Sequence, residues 1–161
     1  LKINHFDPAV WEREAIPEED VVINFADFLS NYKCVHNISK RTGTPYLTAK
    51  LAGHNAATFD MPRLRRMFTR ARYTFLAADP RVYDTVQAAL WRLHGSLCFP
   101  ESYKLSALAE HFCIESSGAH DALVDVRLCV KLAAAMRGLD PSTVGNPVIP
   151  ASIDVPVDCP F

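Results

Sequence analysis

The chain predicts an α/β domain, and two observations carry that expectation. Segments with the period of a strand alternate with segments with the period of a helix. At 161 residues and 49% apolar content there is enough material for one sizeable core. The domain is expected over residues 1–138, followed by a Pro-rich tail over 139–161.

Each element follows from local chemistry. Pro17 with Glu18, Glu19 and Asp20 places a helix-compatible proline and three acids at a helix start. Val21, Phe25, Phe28, Leu29 and Tyr32 then recur at helical spacing, which predicts a helix over 18–32 with that face buried. Residues 33–46, with Lys33, Lys40, Arg41, Gly43 and Pro45 and no period, predict a basic surface loop. Leu47, Ala49 and Leu51 alternate with Thr48 and Lys50, the period of a strand, and Gly53 closes it. A helix follows from about Met61, with Pro62 in its first turn and Leu64 and Phe68 on one face.

Val82 and Tyr83 predict a short strand before a helix carrying Val86, Leu90 and Leu93. Leu105, Leu108, Ala109 and Phe112 mark a further short amphipathic helix. Asp121–Met136 is apolar nearly all round, which predicts a central buried helix ended by Gly138 and Pro141. Five prolines (141, 147, 150, 156 and 160) make the last stretch an extended tail. One or two strands against five helices make a thin sheet. Either residues outside this sequence complete it, the favoured expectation and one in keeping with a first residue that is Leu rather than Met, or the periods under-read the strands.

Charge and cysteine content narrow the classes. The 17 Lys+Arg against 18 Asp+Glu create no overall field for nucleic acid, so any such binding must rest on a local patch. Five cysteines, odd in number and without a CxxC pair, predict reduced thiols and a cytoplasmic location, with Cys113 and Cys129 buried. No apolar run approaches 18 residues and no charged-then-apolar leader opens the chain, so neither a membrane span nor a secretory signal is expected.

Two segments carry chemistry. His120 and Asp125, in Ala-His-Asp-Ala-Leu-Val-Asp-Val at 119–126, set an imidazole and a carboxylate at the mouth of the apolar helix. Gly53-His54-Asn55-Ala56-Ala57-Thr58-Phe59-Asp60 ends in a second carboxylate just before a helix. Carboxylates are hard ligands for divalent cations, and a histidine can act as base near neutral pH.

In that order the segments resemble the DEDDh 3′–5′ exonucleases, the DnaQ-like enzymes of the ribonuclease-H-like superfamily. The resemblance runs from about Asp20 to Met136, and His-x-Ala-x-x-Asp at 120–125 is its more specific motif. Asp84-Thr85 also falls where this family often has such a pair. The resemblance implies a ribonuclease-H-like fold in which Asp60 and Asp125 bind magnesium or manganese, two ions in the complete site. It makes His120 the general base. The implied reaction is hydrolysis of terminal phosphodiesters of DNA or RNA to nucleoside 5′-monophosphates. The implied partners are single-stranded nucleic acid or 3′ ends, with a polymerase or a second copy of the chain open as protein partners.

The chain departs from the family pattern twice. Three residues separate Asn55 from Phe59, where many relatives have two. The first motif, Asp-x-Glu on the opening strand, is absent. The acids ahead of the helix at 18–32 are Asp7, Glu12 and Glu14, none in a strand pattern. The chain is therefore expected to lack the N-terminal strands of that fold. Two carboxylates supply a formal charge of about −2, against the four that balance two dications, so repulsion between close cations is poorly compensated.

Simpler roles stand beside these. Asp121 shares the helical face of Asp125, yet a helix-start role fits it better than a ligand role. His54 and Asn55 are candidate substrate contacts or turn-stabilising residues at a strand end. Arg63, Arg65, Arg66, Arg70 and Arg72 form the densest basic run. They predict a solvated face first and a phosphate contact, through Arg63 and Arg66, second. Phe59, Leu123, Val124, Leu128 and Leu132 are expected in the core. His5, His36, His94 and His111 show no ligand spacing. The rival to an exonuclease is a catalytically inactive nucleic-acid-binding or interaction module on the same scaffold. A structural α/β domain with chance motif matches comes third.

Overall fold

The computed structural model describes residues 7–73, 78–116 and 121–144. In chain order these form α1 (Pro8–Glu14), α2 (Glu18–Ser30), β1 (Lys33–Ile38), β2 (Pro45–Ala49), β3 (Ala52–Gly53), α3 (Asp60–Arg70), β4 (Tyr83–Asp84), α4 (Thr85–Arg92), α5 (Leu105–His111) and α6 (Ala122–Met136). β1 pairs antiparallel with β2, and β3 with β4 forms a second two-stranded sheet. The chain divides into two compact units. The first holds residues 7–13, 53–55, 84–116 and 121–144, and the second holds 14–52, 56–73 and 78–83.

The second unit is built on α2, whose first-turn acids Glu18, Glu19 and Asp20 favour the positive end of the helix dipole. Of the expected face, Leu29 is buried and Phe25 and Tyr32 are half-buried against the core, whereas Val21 and Phe28 are exposed and Val22 and Ala26 take the inward positions. Small residues turn inward here because α2 packs on β2 and α3, while Phe28 stacks outside on Phe25 and Tyr32. Val22 and Ala26 enclose Phe68 of α3, and Leu29 meets Ala49 and Ala78. Glu18 receives two hydrogen bonds from Arg70, at 2.9 and 2.7 Å, joining the start of α2 to the end of α3.

The expected loop at 33–46 is instead a hairpin, because backbone pairing needs no hydrophobic period. His36 faces Leu47, Asn37 faces Tyr46 and Ile38 faces Pro45. In the turn, Gly43 takes a φ of +69°, which glycine adopts freely, and its N–H donates to the Ser39 carbonyl at 2.8 Å. Beyond the hairpin the Ala49 carbonyl accepts from the Asp79 N–H at 2.8 Å. Asp79 is fully buried, and its carboxyl is held down at about 2 by hydrogen bonds from the Arg81 side chain.

The first unit centres on α6. Leu128, Leu132 and Met136 pack against Ala89 and Leu93 from the α4 region and Leu108, Ala109 and Ile114 from the α5 region. The Asp121 side chain accepts from the Leu123 and Val124 N–H groups, so it caps α6 as the helix-start reading expected. Gly138, at φ +75°, ends the helix. The helix is not buried all round. Leu123 is 52% exposed, with Val126 and Val130 on the same open side, and Val124 is half-buried. Among the described residues α4 and α5 are the elements that pack most on α6, against the face that holds Leu128, Leu132 and Met136. Leu90 of α4 is likewise exposed, its place inside taken by Ala89.

Two further expectations change. Phe59 is 52% exposed, because Arg63, one turn on, covers its ring instead of the core doing so (guanidinium carbon 3.5 Å from the ring centroid). Cys113 is exposed and Cys129 half-buried. Cys113 lies just past the end of α5 in a left-handed conformation, which takes it off the apolar face. No described helix is long and apolar enough to cross a membrane.

Candidate active site

The first unit holds a cavity of about 580 Å³ lined by residues from four separate stretches of sequence. His54 and Asn55 come from the strand end, Val86 from α4, Tyr103–Ser106 from the start of α5, and Asp125 and Leu128 from α6. Two segments that the sequence marked independently, Gly53–Asn55 and the α6 motif, therefore meet at one place.

Hydrogen bonds fix the wall. Asn55 has a φ of +57°, a left-handed conformation that Asn tolerates better than most residues. Its N–H donates to Asp84 Oδ1 at 3.0 Å, and the Val86 N–H donates to the same oxygen at 2.9 Å. The buried Asp84 carboxylate thus starts α4 and sets the Asn55 backbone at once. The next residue, Thr85, places its hydroxyl 2.9 Å from His54 Nδ1, and the ring also bonds to the Tyr103 backbone. In a neutral imidazole one nitrogen donates and the other accepts, so two partners define the ring orientation.

Burial pushes the His54 imidazole below its ordinary value, and the carboxylates of Asp84 and Asp125 only partly offset this. His54 is consequently neutral at pH 7. Because its proton affinity is lower in the folded state, its contribution to stability is complete above about 6.5 and fades as the pH falls below that. An NMR titration of the His54 ring is expected to give a midpoint below 6.5, the ordinary histidine value; a midpoint at or above it would show that the carboxylates dominate.

Asp125 lines the cavity from the first turn of α6 and is half-buried. Asp121 and Asp84 are turned to backbone N–H groups, which leaves Asp125 as the carboxylate among the cavity-lining residues. Asp60 opens α3 in the second unit and is exposed. Arg63 and Arg66 follow it there, bonded to the Phe59 and Pro62 carbonyls at 2.8 and 3.2 Å. His120 lies outside the described residues. Among the described residues no three His, Cys, Asp or Glu side chains converge as a metal cluster. The carboxylates of Asp60, in the second unit, and of Asp125, in the first, are each donors of the kind that suits a hard divalent cation.

Sequence reasoning did not single out Thr85 as a partner of His54, nor Tyr103, Lys104 and Ser106 as cavity residues. Thr85 was visible as half of the Asp84-Thr85 pair. Tyr103 and Lys104 sit in an aperiodic stretch before a short helix, where no residue pattern marks them.

A family model described as Exonuclease matches residues 46–133, a span that contains both motif segments. No curated protein sequence matches the chain. Among solved structures, the fold is similar to an exonuclease I structure described as suggesting how processivity is achieved. The TM-score is 0.60 at 20% identity, over 87% of this chain and 29% of that one. It is also similar to an exonuclease I described as an ExoI/SSB-Ct complex, with a TM-score of 0.52 at 18% identity, over 84% of this chain and 31% of that one. This chain spans under a third of either structure's length.

Proposed function

This chain belongs to the exonuclease family, and from that premise we propose that it is the catalytic part of a 3′–5′ exonuclease of the DEDDh type. Its α/β architecture is the ribonuclease-H-like fold of the exonuclease I structures. The observation that carries the finer reading is the meeting of His54, Asn55 and Asp125 in one cavity of about 580 Å³.

The substrate is the 3′ end of single-stranded DNA or RNA, and the product is a nucleoside 5′-monophosphate. Asp60 and Asp125 would hold magnesium or manganese. The bound metal would stabilise negative charge on the attacking and leaving oxygens. His120 takes a proton from the attacking water as its oxygen bonds to phosphorus, while the bond to the 3′-oxygen of the preceding nucleotide breaks. His54 and Asn55 contact the terminal nucleotide, with the ring held by Thr85 and the Tyr103 backbone. Domain limits of 1–138 for the nuclease and 139–161 for a tail belong to the same proposal.

Two measurements test this reading. An Asp-x-Glu strand encoded ahead of Leu1 would support this reading, and its lack would make an inactive nucleic-acid-binding module the better one. A polypeptide that also carries such a strand is expected to release mononucleotides from 3′-labelled single-stranded DNA in manganese. Release that survives His120→Ala and Asp125→Ala would refute the assigned site. The 161 residues alone are expected to bind at most one manganese ion, weakly, and to turn over poorly. Two tight ions in a manganese titration would overturn the charge argument.

A further inference from the structure

Between Asp27 and Asp60 the sequence contains no acidic residue. The β1–β2 hairpin lies inside that stretch and carries Lys33, His36, Lys40 and Arg41, all exposed. Among the described residues no carboxylate pairs with any of these four. The α3 arginines differ: Arg70 is paired with Glu18, and Arg63 and Arg66 bond to carbonyls on their own helix. Arg65 on α3 is likewise exposed without a carboxylate partner among the described residues, so what sets the hairpin apart is a stretch of sequence that holds cations and no acid at all.

The tip holds them in place. The Ser39 N–H donates to the Thr44 carbonyl at 2.9 Å, the Gly43 N–H donates back to the Ser39 carbonyl, and the Thr42 and Thr44 hydroxyls bond to each other. Lys40 and Arg41 are the turn residues between these anchors and point charge outward without needing an internal partner. Tyr46, 42% exposed on β2, adds an aromatic ring to the same ribbon. Exposed cations and an exposed aromatic ring on one ribbon suit a polyanion with flat bases. The tip residues Lys40, Arg41, Thr42, Gly43 and Thr44 offer no apolar residue for insertion, which favours a polyanion over a lipid surface, with Ile38 an exposed apolar neighbour of the turn.

We propose that the β1–β2 hairpin binds the phosphate backbone of single-stranded nucleic acid, with Lys33, Lys40 and Arg41 neutralising phosphates and Tyr46 stacking on a base. This is a second contact surface, separate in residues from the candidate active site. It rests on the exonuclease reading only for the choice of nucleic acid as the anion.

The test is fluorescence anisotropy with labelled oligothymidylate and oligouridylate, in EDTA so that no hydrolysis intervenes. The variant Lys33→Ala/Lys40→Ala/Arg41→Ala is expected to lose at least tenfold in affinity at low salt. Its plot of log affinity against log salt should be shallower by about 2, since each phosphate contact on a single strand contributes about 0.7. Tyr46→Ala should weaken binding roughly fivefold or more with the slope unchanged. The comparison variant Arg65→Ala/Arg72→Ala should leave the slope alone. The same slope change with both oligonucleotides identifies the shared phosphate chemistry, and a change with one alone identifies DNA or RNA as the source. An unchanged slope in the triple variant, or tighter binding to phosphatidylserine vesicles than to either oligonucleotide, overturns the proposal. Because binding is read without metal, loss of turnover with intact binding counts against the catalytic reading alone.

Discussion

Asp125→Asn is expected to reduce mononucleotide release at least about 1000-fold in a polypeptide that also carries an Asp-x-Glu strand. The substitution keeps the size and shape of the side chain and removes its charge. Asp125 is the carboxylate lining the cavity, so neither Asp84 nor Asp121, both committed to backbone N–H groups, can replace it. Electrostatic stabilisation by a metal held there is of the order of several kcal/mol, and about 1.4 kcal/mol corresponds to tenfold in rate. Stability should change little by comparison, since a first-turn carboxylate contributes only about 0.3–1 kcal/mol through the helix dipole. Circular dichroism and single-turnover release on the same preparation check both halves. Retained release would remove Asp125 from the chemistry, and joint loss of release and fold would make its role structural.

The largest expected effect on stability is at Leu132→Ala. Leu132 is fully buried in the core that joins α4, α5 and α6. Truncation removes transfer free energy and leaves a cavity, at a cost of about 2–5 kcal/mol. For a domain whose whole stability is about 5–15 kcal/mol, that shifts a urea midpoint substantially. Leu123→Ala supplies the contrast. It sits on the same helix with half its surface in solvent and should cost within about 0.5–1 kcal/mol. Equal midpoints for the two variants would mean that the open side of α6 is covered in solution.

Helices were legible where capping chemistry and period agreed. Pro17 with three acids located the start of α2, and Gly138 located the end of α6. Their buried faces were less legible. The period placed Leu29 and Phe25 on the inward side correctly, but the partner elements selected Val22 and Ala26 over Val21 and Phe28. β1 was missed because a ribbon that is mostly exposed carries little hydrophobic alternation, and its pairing is recorded only in backbone hydrogen bonds. In the cavity, His54, Asn55 and Asp125 could be read because they lie in motifs. Thr85 and the Tyr103 backbone could not, since their contribution is a hydrogen bond that spacing does not encode.

One oxygen, Asp84 Oδ1, accepts from both Asn55 and Val86. The start of α4 and the geometry of the cavity wall therefore depend on one atom. A change that reshapes the helix start moves Asn55, and with it the neighbouring imidazole. Variants at Asp84 or Thr85 would score in an activity screen as catalytic residues, although neither is among the residues that line the cavity. Their deficit would be one of aim.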